Sequence, residues 1–172
     1  MRILVVTASK HGSTRGIGDL VAGELRAFGH DVTTAAAGEP LDLAGVEAAV
    51  VGSAVYGARV LTAGREVADR LARELDGPLW VFAVGLKSLS KDPLRPSATA
   101  PAPEGYRGGR YPVFGGAIDA AGLSLAESAL IGALGAQNRD LRDRATVTAW
   151  TRLIARQLEP AGQGSSSTLP VV

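Results

Sequence analysis

Ile3-Leu4-Val5-Val6-Thr7, running directly into Ala8-Ser9-Lys10-His11-Gly12-Ser13-Thr14, is the stretch on which the fold turns. Its first five residues are apolar or β-branched without alternation. That pattern suits a short strand covered on both faces, as in a parallel sheet. The polar, glycine-containing loop that follows opens a helical pattern. Ile17, Leu20, Val21, Leu25 and Phe28 share one face, and Gly29 ends the helix.

The unit recurs along the chain. Asp31 to Ala36 reads as a weaker strand at or near an edge, and Leu41 to Glu47 as at most one or two helical turns. Ala48 to Val55 reads as a third strand buried in its first half. Thr62 to Leu75 is a predicted helix, with Thr62 as its N-cap and Val67, Leu71 and Leu75 on one face. Leu79 to Val84 and Val113 to Ile118 supply the fourth and fifth strands. A capping box at Ser124 to Glu127 opens a very apolar helix ending near Leu134, and Asp143 caps a last helix presenting Val147, Trp150, Ile154 and Leu158. Strands alternating with helices predict an α/β fold: a doubly wound five-stranded parallel sheet of order 2-1-3-4-5 with helices on both faces. The predicted domain spans residues 1–159, and the Gly/Ser-rich residues 160–172 read as a disordered tail.

Composition narrows the chemistry. The 172 residues carry 18 basic and 17 acidic side chains, too even a balance for a nucleic-acid binder. With no cysteine and only two histidines, His11 and His30, neither thiolate chemistry nor a histidine-rich metal site is expected. No apolar run reaches the roughly 18 residues of a membrane span, so there is no transmembrane segment and the reading is a cytoplasmic protein, with peripheral membrane contact left open.

In a sheet of this order the ligand lies at the carboxyl ends of strands 1 and 3. Three loops should meet there. Ser9 to Thr14 offers three hydroxyls, Gly12 and a helix N-terminus, a setting that favours a phosphate. Gly52 to Arg59 carries Tyr56 beside Gly57, an aromatic suited to a planar ring. Val84 to Ser88 offers Gly85 for close backbone approach and Lys87 against negative charge. The acidic pocket of a phosphoacceptor domain is missing, and neither a Gly-x-Gly-x-x-Gly fingerprint nor a Gly-Lys-Ser/Thr loop is in register.

These residues resemble flavodoxins. Thr7 to Thr14 is similar to the family's phosphate loop for flavin mononucleotide (FMN), and Val51 to Gly57 to its second flavin loop. Within that superfamily the chain resembles the menaquinone-dependent protoporphyrinogen dehydrogenase group, through Gly52-Ser53-x-x-Tyr56-Gly57, Gly115-Gly116-Ala117, Asp140-x-Arg142-Asp143 and Trp150. The resemblance implies that FMN is the cofactor. Ser9, Lys10, His11, Gly12, Ser13 and Thr14 would hold its phosphate. Ser53, Ala54, Val55, Tyr56 and Gly57, with Val84, Gly85, Leu86 and Lys87, would flank its ring. One departure is residues 86–112, which hold five prolines and no helical period where that group has a helix, yet keep five basic residues against two acidic ones.

The resemblance implies an FMN-dependent oxidoreductase moving electrons from a reduced organic substrate, a protoporphyrinogen among the candidates, to a quinone or similar acceptor. No side chain stands out as a catalytic base, nor needs to, because the flavin performs the redox chemistry. The alternatives are a flavodoxin-type electron carrier docking on a redox partner protein, and a non-enzymatic binding protein on the same scaffold. Carriers of that type are typically strongly acidic, and this chain is not. The apolar helix at 125–134 is either a homodimer surface or a face packed within the domain.

Overall fold

The computed structural model describes residues 1–56, 59–85, 111–117 and 140–159. The described elements follow in the order β1 (Arg2–Ala8), α1 (Ser13–Ala27), β2 (Asp31–Ala36), β3 (Ala48–Tyr56), β4 (Arg59–Val60), α2 (Thr62–Glu74), β5 (Leu79–Gly85), β6 (Val113–Gly115) and α3 (Arg144–Leu158). Five strands form a parallel sheet ordered β2-β1-β3-β5-β6. That is the predicted order 2-1-3-4-5, with one short extra strand interposed in the numbering. The extra strand, β4, turns back antiparallel on the end of β3, pairing Val60 with Val55 and Arg59 with Tyr56. The predicted boundaries of the long strands hold to within a residue or so, except that β6 is only three residues long.

The unbroken apolar runs are explained by burial on both faces. Along a strand, successive side chains point to opposite sides. Ile3, Val5, Val50, Phe82, Val84 and Phe114 face α1 and α3, where they meet Ile17, Val21, Leu25, Trp150 and Ile154. Leu4, Val6, Val51, Val81 and Ala83 face the other way, toward Ala68 and Leu71 of α2. Phe82, Phe114 and Trp150 form a triangle of rings with centroids 5.6 to 5.8 Å apart, within the range of favourable aromatic pairs. Where α1 crosses β1 it comes so close that a Cβ on Gly18 would collide with Thr7 Cγ2. Gly18, which forms no dinucleotide fingerprint in the sequence, is therefore a packing residue.

Three local expectations are corrected. Residues 41–47 form no helix: Gly45 has φ 69°, Asp42 Oδ1 accepts from the Ala44 amide, and Arg2 holds Ala44 O and the Glu47 carboxylate. Leu61, not Thr62, occupies the N-cap position of α2, and no side chain caps that helix. Phe28 lies at the C-cap of α1 and is exposed, because the helix has already turned away from the sheet. On α2 the expected face packs inward: Leu71 is buried with Gly64 and Ala68, and Val67 and the C-cap residue Leu75 lie half-buried against the same cluster. Asp143 likewise caps α3 as expected, accepting from the Ala145 and Thr146 amides at 3.0 and 3.2 Å. The apolar helix expected at 124–134, the irregular 86–110 and the tail 160–172 lie outside the described residues.

Candidate functional site

The carboxyl ends of β1, β3 and β5 bring the first loop, the β3–β4 hairpin and Gly85 to one edge of the sheet. Gly12 sits at the N-cap of α1 in the left-handed conformation, φ 81° and ψ −16°, which glycine adopts without strain. This bend aims the first turn of α1 at the edge. Gly12 O accepts from the Gly16 amide at 2.9 Å, but no side chain caps the helix. The amides of its first turn are thus open to an external acceptor, at the positive end of a 15-residue helix. Thr14 adds a more pointed observation. Its side chain is only 1% exposed, and its Oγ1 has no hydrogen-bond partner among the described residues. Buried hydroxyls usually have a hydrogen-bond partner, so Thr14 Oγ1 is a candidate donor to a bound group.

The other members of the loop play different parts. Ser9 and His11 are half-buried and Lys10 is exposed. Ser13 is half-buried, and its Oγ accepts from the Ala117 amide at 2.7 Å. That bond ties the phosphate-loop candidate to the chain leaving β6. Gly116 completes the tie: its amide donates to Gly85 O at 2.7 Å, and a Cβ there would lie 3.0 Å from Ser13 Oγ and 3.1 Å from Val84 Cγ1. The first and third loops are therefore locked through Gly116 and Ala117. In the sequence the only signal for these two residues is the Gly115-Gly116-Ala117 triplet.

The hairpin meets the first loop from the other side. Tyr56 is 39% exposed, with Lys10 Nζ 5.0 Å from its ring centroid and the His11 ring edge-on at 6.4 Å. Arg59, which went unremarked in the sequence, pairs directly opposite Tyr56. Ser53 and Ala54 are buried. The Ser53 hydroxyl accepts from the Leu61 amide at 3.1 Å and donates to Ala54 O at 3.2 Å, which fixes the entry into α2. Val55 is half-buried. Val84 is 4% exposed and its side chain belongs to the α1/α3 core, so only its backbone borders the edge. Gly57, Leu86 and Lys87 lie outside the described residues.

Strong electrostatic shifts occur beside this edge rather than within it. Asp140 bridges to Ala117 through backbone pairing, and its carboxylate takes Arg142 Nε and Nη2 at 2.8 and 2.5 Å. Those hydrogen bonds hold its pKa down to about 2. Hydrogen bonds from Thr146 likewise lower the Asp143 pKa. Arg142 also lies against Gly16 of α1, lining with Asp19 and Leu20 a surface cavity of about 470 Å³. His30 is far from the site, at the amino edge, where burial and the N-terminal ammonium push its pKa below the ordinary value.

A parallel sheet reversing its order at β1 and β3, with an open helix end and a solvent-facing tyrosine at the reversal, defines a doubly wound α/β protein built to hold a phosphate-bearing cofactor. The comparisons with known proteins give the family. A model described as a flavodoxin domain matches residues 4–144, and the chain belongs to that family. Among solved structures it is similar to a flavodoxin from the domain Archaea (16% identity, TM-score 0.55, covering 91% of this chain and 98% of that one). It is also similar to the flavodoxin of Streptococcus pneumonia TIGR4 (17%, 0.52, 92% and 100%). A third similar structure is a flavo di-iron protein mutant from Thermotoga maritima (16%, 0.52, 92% and 36%). The chain thus spans nearly all of the short flavodoxins but only 23 to 36% of flavo-diiron chains. No curated protein matches the sequence. Membership makes this an electron-transfer flavoprotein fold whose cofactor is FMN. The residues present fit that group. The unpartnered Thr14 hydroxyl and the uncapped amides of α1 are the donors a phosphate requires.

Proposed function

We propose that the chain holds the FMN phosphate with Ser9, Lys10, His11, Gly12, Ser13 and Thr14. The ring would lie between Ser53 to Gly57 on one side and Val84 to Lys87 on the other. The observation that carries this reading is the buried Thr14 Oγ1, which no described residue satisfies. Thr14 and the first-turn amides donate to the phosphate oxygens. Gly12 gives the loop its bend, and Ser13 secures the loop to Ala117 rather than serving the ligand alone. Tyr56 offers its exposed ring as a wall, and Ser53 acts from beneath by holding the hairpin in place. When bound, FMN supplies the electron-accepting and electron-releasing chemistry, and the protein binds, orients and tunes it.

The function proposed is an FMN-dependent oxidoreductase of the cytoplasm, passing electrons from a reduced organic substrate to a quinone or similar acceptor, with a protoporphyrinogen as one candidate donor. The even overall charge supports this over a carrier, whose docking relies on a field of one sign. The second reading, a flavodoxin-type carrier working with a redox partner protein, has the family's similarity in its favour. Among the described residues no helix is long and apolar enough to cross a membrane.

The test is reconstitution followed by reoxidation. The purified chain mixed with FMN is expected to quench the flavin's fluorescence at one equivalent, and the reduced complex to be reoxidised by a soluble quinone over many turnovers. Failure to bind FMN overturns the cofactor assignment. Binding without quinone turnover, but with rapid one-electron exchange to a protein acceptor, selects the carrier.

A further inference from the structure

From Met1 to Gly18 there is no acidic residue, and from Ala48 to Arg65 there is none either. These two stretches carry the phosphate loop and the tyrosine hairpin. A cation of the first stretch meets the aromatic ring of the second. Lys10 Nζ lies 5.0 Å from the Tyr56 centroid, and Arg59 stands opposite Tyr56 in the hairpin register, which places both side chains on the same face of the ribbon.

We propose that Lys10 sets the reduction potential of the bound flavin, favouring the fully reduced form. The inference rests on FMN occupying the site. Oxidised flavin takes up two electrons and one proton to give a reduced ring carrying one extra negative charge. A cation held nearby stabilises that product more than the neutral oxidised ring. Lys10 is held in two ways: by its membership of the phosphate loop, and by the tyrosine face beneath its ammonium. Loop and hairpin are proposed to hold the same ligand, so a flavin ring set against Tyr56 would lie in the field of the Lys10 ammonium. No acidic side chain on either segment offsets it. An acidic surround acts the other way, making the reduced anion costly. The cationic edge therefore suits a protein that accumulates two electrons before releasing them.

The experiment compares wild type with Lys10→Met, which keeps length and removes charge, and Lys10→Arg, which restores it. FMN affinity is measured by fluorescence quenching. Midpoint potential is measured by equilibration with a reference dye during slow enzymatic reduction with xanthine and xanthine oxidase. Lys10→Met is expected to weaken binding of oxidised FMN, because a phosphate-loop cation is lost, and to weaken binding of the reduced form about tenfold more. For a two-electron couple that is a fall of about 30 mV. Lys10→Arg returns the wild-type value, and rising salt shrinks the difference. An unchanged midpoint in Lys10→Met overturns the inference while leaving FMN binding intact. Equal loss of affinity for both redox forms also overturns it, because Lys10 is then a phosphate ligand only. A wild-type chain that fails to bind FMN overturns the cofactor reading and this inference together.

Discussion

Replacing Thr14 with valine should move two quantities in opposite directions. Valine has threonine's shape, so the change converts one buried hydroxyl to a methyl and leaves the packing of α1 against β1 intact. In the cofactor-free protein the Thr14 hydroxyl is 1% exposed and has no partner among the described residues. A buried polar group in that state costs about 1–3 kcal/mol, so Thr14→Val should stabilise the apoprotein by about 1 kcal/mol, seen as a raised urea midpoint at constant slope. With FMN present the hydroxyl gains a charged acceptor. A hydrogen bond to a charged group contributes about 1.5–3 kcal/mol, so the variant's Kd for FMN should rise at least tenfold, at about 1.4 kcal/mol per decade. At one fixed, saturating FMN concentration the ligand then stabilises the variant by about 1.4 kcal/mol less than wild type. Urea titrations with and without FMN, paired with fluorescence titration of the flavin, read both effects. A destabilised apoprotein would show that the hydroxyl already has a partner. An unchanged Kd would show that it does not face the phosphate. Either result refutes the assignment.

Other perturbations probe the frame around the site. Gly18→Ala should lower stability by about 1–3 kcal/mol, since its Cβ meets Thr7 Cγ2, and urea midpoints at unchanged slope check this. Asp143→Ala removes the cap of α3 and should cost about 1 kcal/mol at neutral pH. The pH course follows from the same carboxylate. Its folded-state pKa lies below the ordinary value of about 3.9, so the stabilisation is present above that value and is lost as pH falls through the folded one. Wild type and Asp143→Ala should therefore converge in urea midpoint under acid conditions. A gap that persisted there would assign the effect to packing. Asp140, held near 2 by Arg142, should keep its charge to lower pH than Asp143, a difference that carbon-detected NMR titration of the two carboxyls resolves.

Much of the fold was legible because burial on both faces leaves a mark that needs no partner to read. The runs at Ile3 to Thr7, Ala48 to Val55 and Leu79 to Val84 lack alternation, the pattern of strands covered on both faces as in a parallel sheet. The loop proposed for the phosphate was singled out for a similar reason: hydroxyls, a glycine and a helix start lie within six consecutive residues. The hairpin at Arg59-Val60 was not, since two residues carry no periodicity and exist as a strand only by pairing with Val55 and Tyr56. Nor was the absence of helix at 41–47, where Gly45 and contacts from Arg2, 42 or more positions away in sequence, set the path of the chain.

The sequence by itself determined the strand and helix order, the layering of the sheet, the loop proposed to meet the cofactor and the family resemblance, because each is written in neighbouring residues. The tertiary structure decided which side chains of that loop are left for a ligand. Ser13 and Thr14 look alike in sequence, two adjacent hydroxyls opening one helix. Only the return of the chain past β6 gives Ser13 the Ala117 amide, whereas Thr14 is buried with no described partner for its hydroxyl. The same holds for charge. Lys10 and Tyr56 are 46 positions apart, and only the adjacency of β1 and β3 brings the ammonium to the ring. Local pattern encodes elements, whereas the electrostatics of a site depend on distances that exist only once the sheet has closed.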